Sequence, residues 1–120
     1  MLLRAGSVEA LVERVLGGGE PLAAPHLLDL EIAQVLRRYV AGREIDAARA
    51  EDALADYRAM QVARYPHDVL LGRIWELRAN CTAYDGSDIA LAEALHCPLV
   101  TCDVALEKIP GHVATIEVFA

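Results

Sequence analysis

Stretches in which apolar residues recur every three or four positions alternate along this chain with short unbroken apolar runs. No other feature constrains the fold as strongly. The first pattern belongs to an amphipathic helix, the second to a strand buried on both faces. Ser7 is placed to cap a helix carrying Val8, Leu11, Val12, Val15 and Leu16, which the glycines at 17–19 end. Residues 21–24 predict a short strand, after which a helical pattern runs over 26–41 and stops at Gly42. Asp46 caps a third helix with Ala50, Ala53, Leu54, Tyr57 and Met60 on one side, followed by an edge-strand candidate at 62–65 that Pro66 stops. A fourth helix is expected over 67–79 with Asn80 as a left-handed terminal residue, and a fifth carries Ile89, Leu91, Ala92 and Leu95. Residues 98–101 and 112–119 are the remaining strands. Such alternation implies an α/β fold, a parallel sheet covered by helices on both faces.

Composition agrees with this reading: 55% of residues are hydrophobic but only 5% aromatic, so the apolar mass is Ala, Leu and Val. A chain of 120 residues fits one compact domain, taken here as 1–120 without a linker. No apolar run approaches the ~20 residues that span a bilayer, and the first residues lack a signal-peptide pattern, so a cytoplasmic protein is expected. The three cysteines cannot all pair within the chain and are expected as free thiols. His96, Cys97 and Cys102 lack the short spacing and the fourth ligand of a zinc site. The net charge of −7 argues against a general nucleic-acid binder, whose affinity comes from basic residues. It leaves room for a nuclease, because a metal ion held by carboxylates brings its own positive charge to a phosphate.

Four acids stand where acids are costly. Glu31 falls on the face of its helix marked by Leu27, Leu28, Val35 and Leu36, where a carboxylate must be paired, protonated or bound to a metal. An ion pair with Arg37 or Arg38 is the plain alternative. Asp85 and Asp88 lie one helical turn apart at a helix start. Capping accounts for one of them, but Asp88 lines up with Leu91, Ala92 and Leu95 on the packing side. Asp103 follows an apolar run at the carboxyl end of an expected strand, the edge where open parallel sheets bind ligands, although it is also placed to cap residues 104–108. Together Glu31, Asp85, Asp88 and Asp103 make an oxygen-rich set suited to Mg²⁺ or Mn²⁺ and to metal-assisted phosphodiester chemistry.

Residues 24–38, with Glu31, are similar to the second-acid motif of PIN-domain ribonuclease toxins of the VapC type. Residues 82–93, with Asp85 and Asp88, resemble the third motif, and residues 98–103 the strand leading to the fourth. The resemblance implies a PIN-like three-layer α/β/α sandwich with a short parallel sheet. It also implies Mg²⁺-dependent endonucleolytic cleavage of RNA in a type II toxin–antitoxin module. Glu31, Asp85 and Asp103 would be catalytic metal ligands, with Asp88 a further participant at a position where many relatives carry an aromatic residue. Thr101, at the Thr-x-Asp position, would orient carboxylates or water through its hydroxyl. The implied partners are RNA and a cognate VapB-type antitoxin, as a homodimer or a hetero-oligomer with the antitoxin, and no membrane.

The sequence departs from the family at its start. Family members open with a strand ending in an aspartate, and before Glu31 this chain has only Glu9, Glu13, Glu20 and Asp29 as acids, none in that context. The opening central strand and first catalytic aspartate are therefore expected to be missing from residues 1–120, leaving an N-terminally incomplete domain with weak metal binding and little or no nuclease activity of its own. The competing expectation is a catalytically impaired or degenerate toxin that only binds its antitoxin. A stand-alone phosphatase-like domain with coincidental acids is a third. Arginines 37, 38, 64, 73 and 78 are candidates for contacts to RNA or antitoxin.

Overall fold

A computed structural model describes residues 21–119; the helix expected around Val8–Leu16 lies outside the described residues. Strand β1 (Leu22–Pro25) leads into helix α1 (Leu27–Ala41), and α2 (Ala47–Ala59) leads into β2 (Val62–Tyr65). A 3₁₀ turn (Asp68–Leu70) then runs directly into α3 (Leu71–Glu76), followed by α4 (Ala83–Leu95) and β3 (Leu99–Thr101). A second 3₁₀ segment (Val104–Lys108) precedes β4 (Ile116–Val118). Among the described residues no helix is long and apolar enough to cross a membrane.

The α/β alternation is as expected, and its strands are parallel. β1 pairs with β2 from Leu22 opposite Val62 to Pro25 opposite Tyr65, and β3 pairs with β4 from Leu99 opposite Ile116 to Thr101 opposite Val118. The expected single sheet is instead two separate two-stranded sheets among the described residues. No strand pairing links the two sheets among the described residues; α4 packs against both β1 and β3 and so joins the halves. One buried cluster, Leu70, Ala90 and Leu91, lies with Tyr65, Ile74 and Leu95; another, Leu77, Ile89 and Leu106, lies with Leu99 and Ile116 of the second sheet.

Several local expectations shift for identifiable reasons. The helix expected over 67–79 is shorter, opening as a 3₁₀ turn and ending at Glu76. Asn80 is not left-handed; its amide instead donates to the Pro110 carbonyl at 3.0 Å, and the left-handed residues are Arg43 (φ 59°) and His96 (φ 51°). Gly111 takes φ 84°, a backbone conformation strained for any residue with a Cβ, and a Cβ there would also press on the Asn80 amide at 2.8 Å. Arg73 fastens the same turn, donating to both Glu93 oxygens at 2.7 and 3.0 Å and to the Gly111 carbonyl at 2.8 Å. This pairing holds the Glu93 carboxyl below its ordinary range. Cys81, Cys97 and Cys102 are partly buried free thiols.

Ile89 is fully buried at the junction of α4 with the second sheet. Replacing it by alanine removes apolar contacts and leaves a cavity that buried neighbours such as Leu77 and Leu106 do not fill, so Ile89→Ala is expected to destabilise the fold by about 2–5 kcal/mol. Urea denaturation of the two proteins checks this, and a loss below about 1 kcal/mol would contradict the packing described.

Candidate active site

The first turns of α4 carry two of the four acids. Thr82 is the N-cap, its hydroxyl oxygen accepting from the Asp85 N–H at 3.1 Å. The capping role that the sequence allowed for Asp85 thus falls to Thr82, and the Asp85 carboxyl sits within the first turn. Burial pushes that carboxyl up from its ordinary pKa, and the charge of Asp103 adds to the effect, against a hydrogen bond from Thr82. One turn on, Asp88 lies between buried Ser87 and Ile89. Burial first, then the negative charges of Glu31 and Asp85, push the Asp88 carboxyl up to about 7.

Glu31 is half-buried on the second turn of α1, the helix that follows β1. Asp103 follows β3 and is exposed; its Oδ1 accepts from the Ala105 N–H at 2.9 Å, capping the 3₁₀ segment as its position allowed. Thr101 is buried, and its hydroxyl oxygen accepts from the Asp103 N–H at 3.0 Å, which fixes the backbone that carries the acid. Both Glu31 and Asp103 therefore lie beyond the carboxyl ends of parallel strands.

The acids influence one another in sequence: Glu31 acts on Asp88, Asp88 shares a helix face with Asp85, and Asp103 acts on Asp85. They form a row across the junction of the two sheets. Among the described residues no three His, Cys, Asp or Glu side chains stand close enough to hold a metal ion as placed, so the row is not the closed pocket pictured from sequence. The reason is the split sheet: Glu31 belongs to one strand pair and Asp103 to the other, with α4 between them.

The donor chemistry nevertheless fits a hard divalent cation. Other acids have arginine partners: Asp29 is bonded to Arg64 at 2.8 Å and Glu93 to Arg73 at 2.7 Å. Among the described residues Asp85, Asp88 and Asp103 have no such ion pair, and burial first, then neighbouring negative charge, disfavours the charged forms of Asp85 and Asp88, which a divalent cation would offset.

The arginines mostly have structural partners. Arg64 serves Asp29, Arg73 serves Glu93 and Glu76, and Arg78 donates to the Trp75 carbonyl while its guanidinium lies 4.7 Å from the Trp75 ring centre. Arg37 and Arg38 are exposed on α1. Sequence reasoning gave Asp29 and His67 no part near the site. Asp29 accepts from Tyr57 at 2.7 Å and from Arg64, whose guanidinium holds its carboxyl below the ordinary range; burial and that same carboxylate push Tyr57 up to about 12. His67 Nε2 accepts from the Leu27 N–H at 3.1 Å. Its position just after the strand run ending at Tyr65 and Pro66 was the only signal available.

No protein-family model matches the sequence. Curated proteins do. Over 93 residues the chain is 50% identical to VapC ribonuclease Mb0985 of Mycobacterium bovis, covering 78% of this chain and 73% of that protein. Ribonuclease VapC1 of Mycobacterium tuberculosis is 45% identical over 89 residues, 73% of this chain and 67% of the relative. Ribonuclease VapC12 of the same species is 34% identical over 102 residues, 85% of this chain and 79% of the relative.

The raised Asp88 carboxyl makes a prediction for the metal-free protein. In the unfolded chain Asp88 ionises near pH 4, in the fold near 7, so folding is penalised progressively as pH rises between those values. Asp88→Asn removes the penalty. At pH 8 without divalent metal the variant is expected to be more stable by about 2–4 kcal/mol, with the gain vanishing near pH 4. Thermal melts across that range check this; parallel curves for the two proteins would contradict it.

Proposed function

The chain belongs to the VapC ribonuclease family, and from that premise we propose that it is a metal-dependent endoribonuclease toxin, cleaving RNA at the row Glu31, Asp88, Asp85 and Asp103. The observation that carries this reading is the coupling of the four acids across the sheet junction, without arginine partners for Asp85, Asp88 and Asp103 among the described residues. Family likeness alone would not say which acids act.

Mg²⁺, or Mn²⁺ in its place, would be held by Glu31, Asp85, Asp88 and Asp103; when bound it supplies positive charge to the phosphate and an acidified water. The chain's residues supply the rest. The backbone of α4 holds Asp85 and Asp88 one turn apart, and the Thr82 cap keeps that first turn wound. Thr101 fixes Asp103 through its backbone N–H, and the Ala105 N–H fixes the carboxylate itself. Glu31 completes the row from α1, its charge set against the half-buried Asp88. Such an acidic surface repels RNA until a cation is present, which makes substrate binding as well as cleavage depend on metal.

A VapB-type antitoxin covering this groove, and assembly as a homodimer or a toxin–antitoxin hetero-oligomer, complete the proposal. The kinship to ribonucleases favours an active enzyme over a chain that only binds its antitoxin.

Residues that merely support a metal ligand are worth about 10–100-fold, so replacing a ligand is expected to reduce Mg²⁺-dependent cleavage by at least about 100-fold. Asp85→Asn and Asp103→Asn in the full gene product test this, since asparagine keeps the N-cap of the 3₁₀ segment and circular dichroism confirms folding. Cleavage at the unsubstituted rate by either variant would overturn the assignment of that acid.

A further inference from the structure

We propose that His67 is a positioning residue for Glu31, acting through the first turn of α1; the inference rests on the metal-site reading above. The N-cap of α1, His26, makes no side-chain capping bond, so the first N–H groups of this helix need partners from elsewhere. Leu27, the first helical residue, finds one across 40 positions of sequence: its N–H donates to Nε2 of His67 at 3.1 Å, in a partly buried contact. That bond assigns the proton to Nδ1 and leaves Nε2 as the acceptor.

The connection to Glu31 is one bond long. In an α-helix the N–H of each residue donates to the carbonyl four positions earlier, and for Glu31 that carbonyl belongs to Leu27. His67 thus holds the residue on which the Glu31 backbone hangs. Two further contacts tie the same turn to β2. The His26 N–H donates to the Tyr65 carbonyl at 3.0 Å, and Asp29 is clamped by Arg64 and Tyr57. The His26 ring stands edge-on to the His67 ring with centres 6.1 Å apart, limiting the rotation of the imidazole. Without the His67 acceptor the Asp29 clamp still docks α1, but its first residue is released and the turn between β1 and Glu31 frays. Glu31 would then lose its fixed place opposite Asp88.

The test uses the full chain, freed of metal, and reads Mn²⁺ binding by electron paramagnetic resonance beside RNA cleavage. His67→Leu removes the acceptor, whereas His67→Gln places an amide oxygen where Nε2 lay. We expect His67→Leu to bind Mn²⁺ about tenfold more weakly, with RNA cleavage reduced at subsaturating Mn²⁺ and recovered at saturating Mn²⁺, and His67→Gln to restore both binding and cleavage. Unaltered Mn²⁺ binding by His67→Leu, or binding by His67→Gln as weak as that of a folded His67→Leu, overturns the proposal. Should His67→Leu fail to fold, His67→Gln decides: binding like that of the unsubstituted chain supports the acceptor role, and weakened binding overturns it. Glu31→Gln separates the two levels. If it leaves Mn²⁺ binding intact, the metal-site reading itself fails; if it weakens binding while His67→Leu does not, only the role of His67 fails.

Discussion

The burial of the middle of α4 is the constraint on which the rest of the structure depends. From Gly86 to Ala92 almost every side chain is enclosed, with Ile89 inaccessible and Ala90, Leu91 and Ala92 nearly so. A helix packed in this way cannot rotate or slide without opening cavities in both hydrophobic clusters. Asp88 is carried within that stretch, so the position of its carboxyl is dictated by apolar contacts it does not make. The cost of keeping an acid there is visible in its reluctance to ionise. A fold selected for stability alone would place a small or apolar residue at that position.

Around this fixed helix the other acids are held by different means. Asp103 is held by hydrogen bonds within a few residues of itself, its N–H donating to Thr101 and its carboxylate accepting from Ala105, and so depends little on tertiary packing. Glu31 depends on it heavily, because α1 is secured by residues far away in sequence: Tyr57 of α2, Arg64 of β2 and His67 beyond it. Arginine is spent on these supports: Arg64 docks α1, and Arg73 joins α3, α4 and the turn before β4. Their charge is largely neutralised where they stand, which leaves the acidic row dominant in its neighbourhood.

Much of this was legible in the sequence where the signal was local. The strand runs at 22–25 and 99–101, the caps at Asp46 and Asp103 and the placing of acids on α1 and α4 follow from spacing and residue type. What escaped was set by contacts between distant segments. The helix expected from residue 67 begins as a 3₁₀ turn because His67 is drawn across to α1. Asn80 looked like a left-handed terminus but satisfies its amide on Pro110, while His96 takes that conformation at the end of α4. Thr82 and Asp85 both suit a cap, and only the position of the first helical turn separates them. The division of the sheet into two pairs leaves no trace in periodicity, since apolar runs such as 21–24 and 98–101 read as buried strands whether or not their far edges are paired.

The two parallel pairs differ in how much chain must be ordered before they close. β4 lies only a 3₁₀ segment and a turn beyond β3, whereas β2 is separated from β1 by two complete helices. Loop-closure entropy therefore favours early assembly of the carboxyl-terminal pair, with α4 already adjacent to supply an apolar surface. The half of the molecule that bears Asp103 is therefore joined over a short stretch of chain, and Glu31 is the acid brought to the site across the longer one.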